Sequence, residues 1–205
     1  SATAAGTLTG GSATAYVSGP IVRTINDTNT SYVLFPVGKA GVYAPISLAP
    51  TTTSVSKFSA EAFTTNTGTA NASIINLSAT RRWAAPLVSG TFTDMNVRIE
   101  DANLIATNIP VQAPTAAGQY TSSFGSVATF AAAIPNTVQS NFAVPSATYS
   151  GFVSYAISNA CSGTPAPGAT TATSAVLCFG QSTTLGITTV PAGFGITYQW
   201  QSSTD

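Results

Sequence analysis

The chain contains no histidine, and only 6% of its 205 residues are charged. Histidine is the usual general base and a common metal ligand, so its absence excludes a Ser-His-Asp triad and most transition-metal sites. Six basic and six acidic residues cancel, and the only tight basic pair is Arg81–Arg82. Nucleic-acid binding needs clustered Lys and Arg. The composition therefore predicts a protein without cofactors and without a nucleic-acid partner.

Six carboxylates are the remaining candidates for catalysis, and they are spread along the chain. A glycosidase needs two of them across a cleft, but Glu100 and Asp101 are neighbours and would point to opposite faces of a strand. A distant pair, such as Glu61 with Asp94, is the alternative that the sequence leaves open. The segment Ser54-Val-Ser-Lys57 matches Ser-x-x-Lys, yet the partner motifs Ser-Asp-Asn and Lys-Thr-Gly do not occur. We therefore predict no catalytic residues and a protein that is not an enzyme.

Two acidic segments, Asp27-Thr-Asn29 and Glu100-Asp101, carry oxygens of the kind that calcium prefers. Their spacing matches no defined calcium loop, and side-chain hydrogen bonds within turns are the simpler interpretation. We predict no metal site.

No apolar run approaches the roughly 20 residues that a membrane-spanning helix requires. Aromatic and β-branched residues along the whole chain argue against disorder. The surface must then consist largely of Ser, Thr, Asn, Gln and Ala, which leaves little charge repulsion between copies. We expect no membrane span, and we expect a surface on which copies can pack side by side.

Short alternating runs separated by Gly, Pro, Asn and Ser predict an all-β fold. In Asp94–Glu100, Met95, Val97 and Ile99 alternate with polar residues, as in a half-buried strand. Gly38–Gly41 predicts a hairpin turn between two such runs. Ala128–Ala133 could form at most one turn of helix before Pro135. The other predicted strands are Ala13–Ile25, Tyr32–Val37, Val42–Leu48, Val55–Phe63, Ser73–Trp83, Asn103–Ile109, Gln119–Phe130, Gln139–Val144 and Tyr149–Ile157.

The composition changes at Asn159–Gly168, which is rich in Pro, Gly and small polar residues like a linker. We predict a β-sandwich domain over 1–158, of the jelly-roll or immunoglobulin-like type. Residues 159–205 would form a linker and an incomplete immunoglobulin-like β module. Its predicted strands are Ala175–Phe179, Ser182–Ile187 and Gly195–Gln201.

Cys161 and Cys178 are the only cysteines. A disulfide formed in an oxidising compartment is our first interpretation, and two free thiols are the alternative. Closing a loop of this size would stabilise the fold by about 3 kcal/mol in the chain-entropy model.

Two groups of segments resemble a known family. Tyr16-Val-Ser-Gly-Pro-Ile-Val-Arg23 and Phe35-Pro-Val-Gly-Lys-Ala-Gly-Val-Tyr-Ala-Pro-Ile46 resemble a region of large secreted surface proteins of Bacteroidota. Cys161-Ser-Gly-Thr-Pro, Cys178-Phe-Gly-Gln-Ser-Thr-Thr-Leu185 and Ile196-Thr-Tyr-Gln-Trp-Gln-Ser-Ser203 are similar to the first half of their immunoglobulin-like repeats. The resemblance implies export, often by the type IX route, and roles in adhesion, surface coating or filament formation. It implies no catalytic residues.

Together these observations predict a non-catalytic extracellular protein, a building block of a cell-surface adhesin or fibre assembled through β-strand contacts. We expect self-association or contact with neighbouring domains, with Ala175–Gln201 pairing with another strand. A carbohydrate-binding module of a larger secreted protein is the alternative. In that case Trp83 and Tyr43 are the first candidates for contact with surface glycans, although aromatic residues at strand spacing more often lie in the core. A capsid-type sandwich would be favoured by a basic arm, and none occurs.

Overall fold

A computed structural model describes residues 11–26, 31–52, 54–159, 169–174 and 176–188 of the chain. These residues form strands, turns and loops and contain no helix, so the all-β prediction is confirmed. The chain divides into two compact units, Ser1–Asn159 and Ala160–Asp205. A membrane-spanning helix is not found in the part of the chain that the structure describes.

The strands of the first unit are short, because Gly, Pro and Asn interrupt the apolar runs repeatedly. They are β1 (Ile21–Ile25), β2 (Val33–Phe35), β3 (Gly38–Lys39), β4 (Val42–Tyr43), β5 (Ile46–Thr51), β6 (Ser56–Phe63), β7 (Thr69–Ala70), β8 (Ile74–Ile75), β9 (Arg82–Ala84), β10 (Leu87–Ser89), β11 (Asp94–Glu100), β12 (Asn108–Ala113), β13 (Gln119–Tyr120), β14 (Ala128–Ala131), β15 (Thr137–Ser140), β16 (Val144–Pro145) and β17 (Phe152–Ser158).

Two antiparallel sheets make up the body of this unit. The first sheet has the order β1-β6-β9-β17-β12, with β10 also paired to β6 and β8 to β17. The second has the order β14-β15-β11-β5-β2, with β16 also paired to β11. One apolar core contains Phe58 and Trp83 from the first sheet and Leu48, Val97 and Val138 from the second. The sheets therefore pack face to face as a sandwich, as predicted.

The strand β11 has the predicted bounds and the predicted faces. Met95, Val97 and Ile99 are fully buried, while the residues between them are partly exposed. β15 and β16 pair with opposite ends of β11 and leave a gap at its middle. There Ser140 Oγ accepts a hydrogen bond from the Val97 N–H at 3.0 Å and donates one to Asn96 Oδ1 at 3.1 Å. A side chain thus replaces a missing strand partner.

The predicted hairpin at Gly38–Gly41 is present between β3 and β4. Ala40 and Gly41 have φ values of 51° and 81°. Two successive residues with positive φ match the right-handed twist of a tight two-residue hairpin. The strands that flank this hairpin in sequence, β2 and β5, also pair with each other.

The strand predicted at Asn103–Ile109 is wrong in position, because the observed strand β12 covers Asn108–Ala113. All six of its residues are buried. Its outer face is covered by a second small core that includes Ile74 and Tyr120. The residues of β12 do alternate, with Ile109, Val111 and Ala113 in the second core. The prediction ended the strand near Pro110, because proline is common at strand ends, but β12 is an edge strand and tolerates a proline within it.

Several other predicted strands are split by turns. Gln119–Phe130 contains β13, a turn and the start of β14, and Ser73–Trp83 contains β8 and β9. Ala128–Ala133 contains the strand β14 instead of a helical turn, because pairing with β15 overrides the helix preference of alanine.

Within the second unit, β18 (Thr170–Ala172) and β19 (Leu185–Ile187) form an antiparallel pair. Ser182–Ile187 is therefore a strand only in its last three residues. The predicted strand at Ala175–Phe179 is wrong for residues 176–179, which contain one bend, the start of a turn and no strand residue. The predicted strand Gly195–Gln201 lies outside the described residues.

Candidate functional site

The edges of the two sheets are the places where a further strand could add to the sandwich. An edge strand presents unpaired N–H and C=O groups, and proteins usually protect them with charge, proline or a covering segment. The first sheet ends at β1 and β12, and the second ends at β14 and β2. The four edges differ in how they are protected.

The edge of β12 is closed by a proline and by a covering segment. Gln112 exchanges two backbone hydrogen bonds with Thr121, at 3.2 and 2.9 Å. The N–H and C=O groups of Gln112 therefore point away from β17. Asn108 and Pro110 have the same orientation, because alternate residues of an antiparallel strand face the same neighbour. The Asn108 N–H donates to the Ile105 carbonyl at 3.0 Å, and proline has no N–H. Every N–H that β12 directs to this side therefore has a partner among the described residues.

The edges of β1 and β2 are protected by one arginine. Arg23 lies in β1, and its guanidinium donates to the Leu34 carbonyl of β2. The same guanidinium lies 5.9 Å from the centre of the Phe35 ring. β2 has only three residues and is followed by Pro36, whose carbonyl accepts the Val17 N–H at 2.9 Å. A charge on the edge and a short strand are both known protections against strand addition.

The edge of β14 has none of these protections. β14 pairs with β15 alone, so within the described residues every second N–H and C=O of β14 lacks a strand partner. Its exposed side chains, Thr129 and Ala131, are small and uncharged. Val127 before it and Ile134 after it are exposed as well. This open edge consists of residues 127–134.

The edge lacks charge because the second half of the sequence contains almost no charged residues, a feature that did not enter the prediction of strands. No Asp, Glu, Lys or Arg occurs between Asp101 and Asp205. The whole segment from the end of β11 onward therefore contains no charged residue with which an edge could be protected. This uncharged run is the signal in the sequence that points to β14, but it does not say which strand lies at an edge.

An apolar cleft of about 470 Å³ lies at the end of β14. Its side chains come from the β3–β4 hairpin, from the loop after β11 and from the loop after β14, and include Val42, Tyr43, Ala102, Ile134 and Pro135. The Tyr43 ring is stacked on Tyr16, with ring centres 6.3 Å apart. Burial, and secondarily the nearby Glu100, raises the pKa of the Tyr43 hydroxyl. The cleft suits apolar side chains more than it suits a polar ligand.

The two aromatic residues predicted to contact glycans lie in different environments. Trp83 is 0% exposed, and its indole N–H donates to the Ala44 carbonyl at 2.7 Å. A ring buried between two sheets cannot stack on a sugar, so the hypothesis of glycan contact at Trp83 is corrected. Tyr43 is half-buried and lines the cleft, so contact with a glycan at Tyr43 stays a prediction.

Most of the described carboxylates pair with basic residues. Glu61 is 3.1 Å from Lys39, Asp101 is 2.6 Å from Arg81, and Glu100 is 3.8 Å from Arg98. Asp94, the fourth described carboxylate, lies at the start of β11. Burial raises the pKa of Glu100, with the attraction of Arg98 acting in the opposite direction.

Among the described residues, no group of three or more His, Cys, Asp or Glu side chains is arranged to hold a metal ion. Of the two acidic segments considered for calcium, Asp27-Thr-Asn29 falls in residues 27–30, outside the described residues. In the other segment, the Asp101 carboxylate accepts hydrogen bonds from the Arg81 side chain and from the Asn103 N–H.

The predicted disulfide falls partly outside the described residues, because Cys161 is not among them. Cys178 is exposed and is a free thiol in the structure. The disulfide stays a prediction.

The described residues of the first unit thus define a class of protein, a two-sheet β-sandwich in which one of the four edges of the two sheets is open and uncharged. The chain matches no protein-family model, no curated protein sequence and no solved structure.

Proposed function

We propose that this chain is a non-catalytic extracellular building block of a cell-surface adhesin or fibre, and that it assembles through strand addition at β14. One observation carries the proposal: of the four edges of the two sheets that form the sandwich, β14 alone lacks charge, proline and a covering segment among the described residues. Strand addition provides affinity through backbone hydrogen bonds and specificity through alternate side chains. An open edge of this kind is usually a hazard, and it is retained where pairing is useful.

The near absence of charge supports the same function. Copies with zero net charge and a neutral second half do not repel one another on approach. The extracellular location is part of the proposal and is supported by the resemblance to secreted surface proteins of Bacteroidota.

The experiment adds charge to the open edge. Thr129→Lys and Ala131→Lys place an ammonium on exposed positions of β14, where it opposes strand pairing. Val22→Lys is the matched control, because Val22 is an exposed residue of an edge strand that already carries Arg23. Size-exclusion light scattering and negative-stain microscopy report the assembly state.

We expect the unmodified chain and Val22→Lys to assemble alike. Each β14 variant should need at least about tenfold more protein for the same degree of association, because the ammonium groups of the two copies would lie near each other on one face of the new pair. Assembly of the β14 variants at the unmodified concentration would contradict the proposal. So would an unmodified chain that stays monomeric at all concentrations tested.

A carbohydrate-binding module is the second candidate, and the position of Tyr43 beside the cleft favours it. Here a glycan array is probed with the unmodified chain and with Tyr43→Ala. Binding that is lost in Tyr43→Ala and kept in Thr129→Lys would favour this candidate over assembly at β14.

A further inference from the structure

We infer that the strand that adds to β14 is β14 of a second copy of this chain, antiparallel to the first, with Phe130 opposite Phe130. The inference rests on the proposed function and names its partner. Three observations lead to it: the faces of β14, the position of its single aromatic residue, and the absence of charge around it.

The faces of β14 restrict the ways in which two copies can pair. Ala128 and Phe130 are partly buried, and Phe130 packs against the core of the sandwich. Thr129 and Ala131 are exposed on the outer face. Two antiparallel edges related by a two-fold axis keep inner residues opposite inner residues. A shift by one residue would place inner side chains opposite outer ones, so only every second register is allowed.

Phe130 selects one register among those allowed. When Phe130 faces Phe130, the two rings form an aromatic cross-strand pair, and Thr129 faces Ala131 of the other copy. The neighbouring register places Thr129 opposite Thr129 and Phe130 opposite Ala128, which leaves each ring beside a methyl group. The register centred on Phe130 therefore buries more of the Phe130 surface that is still exposed in a single copy.

The chemistry of the edge suits a second copy. An edge with Lys or Arg would repel its own copy, but residues 102–204 carry no charge. The side chains that meet are small, except for Phe130, so two identical backbones can approach closely. The second sheet then continues from one copy into the next across β14, while the first sheet stays closed at β12. A two-fold contact is closed, so this edge by itself produces a dimer, which is then the unit from which a longer fibre is built through other contacts.

Cysteine cross-linking tests the register directly. Thr129→Cys and Ala131→Cys are made separately in a chain in which Cys161 and Cys178 are replaced by Ser. Both positions are exposed, and circular dichroism checks that each variant folds. Each variant is oxidised alone and as an equal mixture, and disulfide-linked dimers are measured on non-reducing gels.

In the inferred register, the cysteine at position 129 lies directly opposite the cysteine at position 131 of the other copy, with their Cβ atoms about 4.5–5.5 Å apart. Identical positions lie on the diagonal, about 7–8 Å apart, which is beyond the usual reach of a disulfide. We expect at least about tenfold more linked dimer in the mixture than in either variant alone. Efficient self-linking of Thr129→Cys would overturn the register, and equal, low linking in all three samples would overturn the β14 pairing.

The charge variants separate this failure from failure of the proposed function. If Thr129→Lys abolishes assembly and no cysteine pair links, then another strand occupies the edge, so the inference fails and the proposed function stands. If Thr129→Lys also leaves assembly unchanged, both fail.

Discussion

Loss of the Asp101 carboxylate should destabilise the sandwich strongly, because it leaves a buried charge without a partner. Asp101 is 0% exposed, and its Oδ2 accepts the Arg81 Nε–H at 2.6 Å. Its Oδ1 accepts the Asn103 N–H at 2.9 Å. Arg81 also donates to the Phe63 carbonyl at 3.3 Å. The pair thus joins the loop after β11, in the second sheet, to the segment between β6 and β9 in the first.

Breaking a buried ion pair by removing one partner costs about 3–5 kcal/mol. For a unit of this size, about 1 kcal/mol corresponds to about 2–4 °C in Tm. We therefore expect Asp101→Ala to lower Tm by about 6–20 °C. Glu61→Ala is the matched control, because it removes a carboxylate from the partly exposed pair with Lys39. An exposed pair contributes about 0–1 kcal/mol, so its loss should shift Tm by at most about 4 °C.

The assay is thermal and urea unfolding followed by tryptophan fluorescence, since Trp83 lies in the core between the sheets. A double variant, Arg81→Met with Asp101→Leu, should recover part of the lost stability, because no unpaired charge remains buried. The reasoning is refuted if Asp101→Ala destabilises the chain no more than Glu61→Ala does, or if the double variant is less stable than Asp101→Ala.

Two smaller predictions concern backbone strain and pH. Gly41→Ala should cost about 1–2 kcal/mol, from positive φ alone. Gly151→Ala should cost about 1–3 kcal/mol more, because its new Cβ would lie 2.7 Å from the Pro86 backbone; equal losses in urea unfolding would disprove this contact. Burial holds the pKa of Glu100 above its ordinary 4.5, so the folded state binds the proton more tightly. Stability therefore falls as pH rises from the unfolded pKa through the folded pKa, and this fall should be smaller in Glu100→Gln between about pH 4 and pH 7. Parallel stability curves for the two proteins would contradict this.

Local pattern determined several parts of this protein from sequence alone. Alternation predicted β11 over Asp94–Glu100, because this strand is buried on one face and period two is then visible. The turn at Ala40 and Gly41 followed from glycine and short-range geometry. Pro, Gly and Asn between apolar runs predicted an all-β chain. The absence of histidine excluded the commonest catalytic arrangements through composition alone.

Only the tertiary structure decided which strands are buried on both faces, which lie at edges and which aromatic side chains reach the surface. Ile109, Val111 and Ala113 of β12 lie in a second core, and the residues between them are buried as well. Trp83 and Tyr43 were equivalent in sequence, but one lies between the sheets and the other beside a cleft. β14 became an open edge because β15 pairs with it on one side and no described strand pairs on the other. Such pairings join residues that are distant in sequence, so they depend on how the whole sandwich packs and not on the pattern within any one strand.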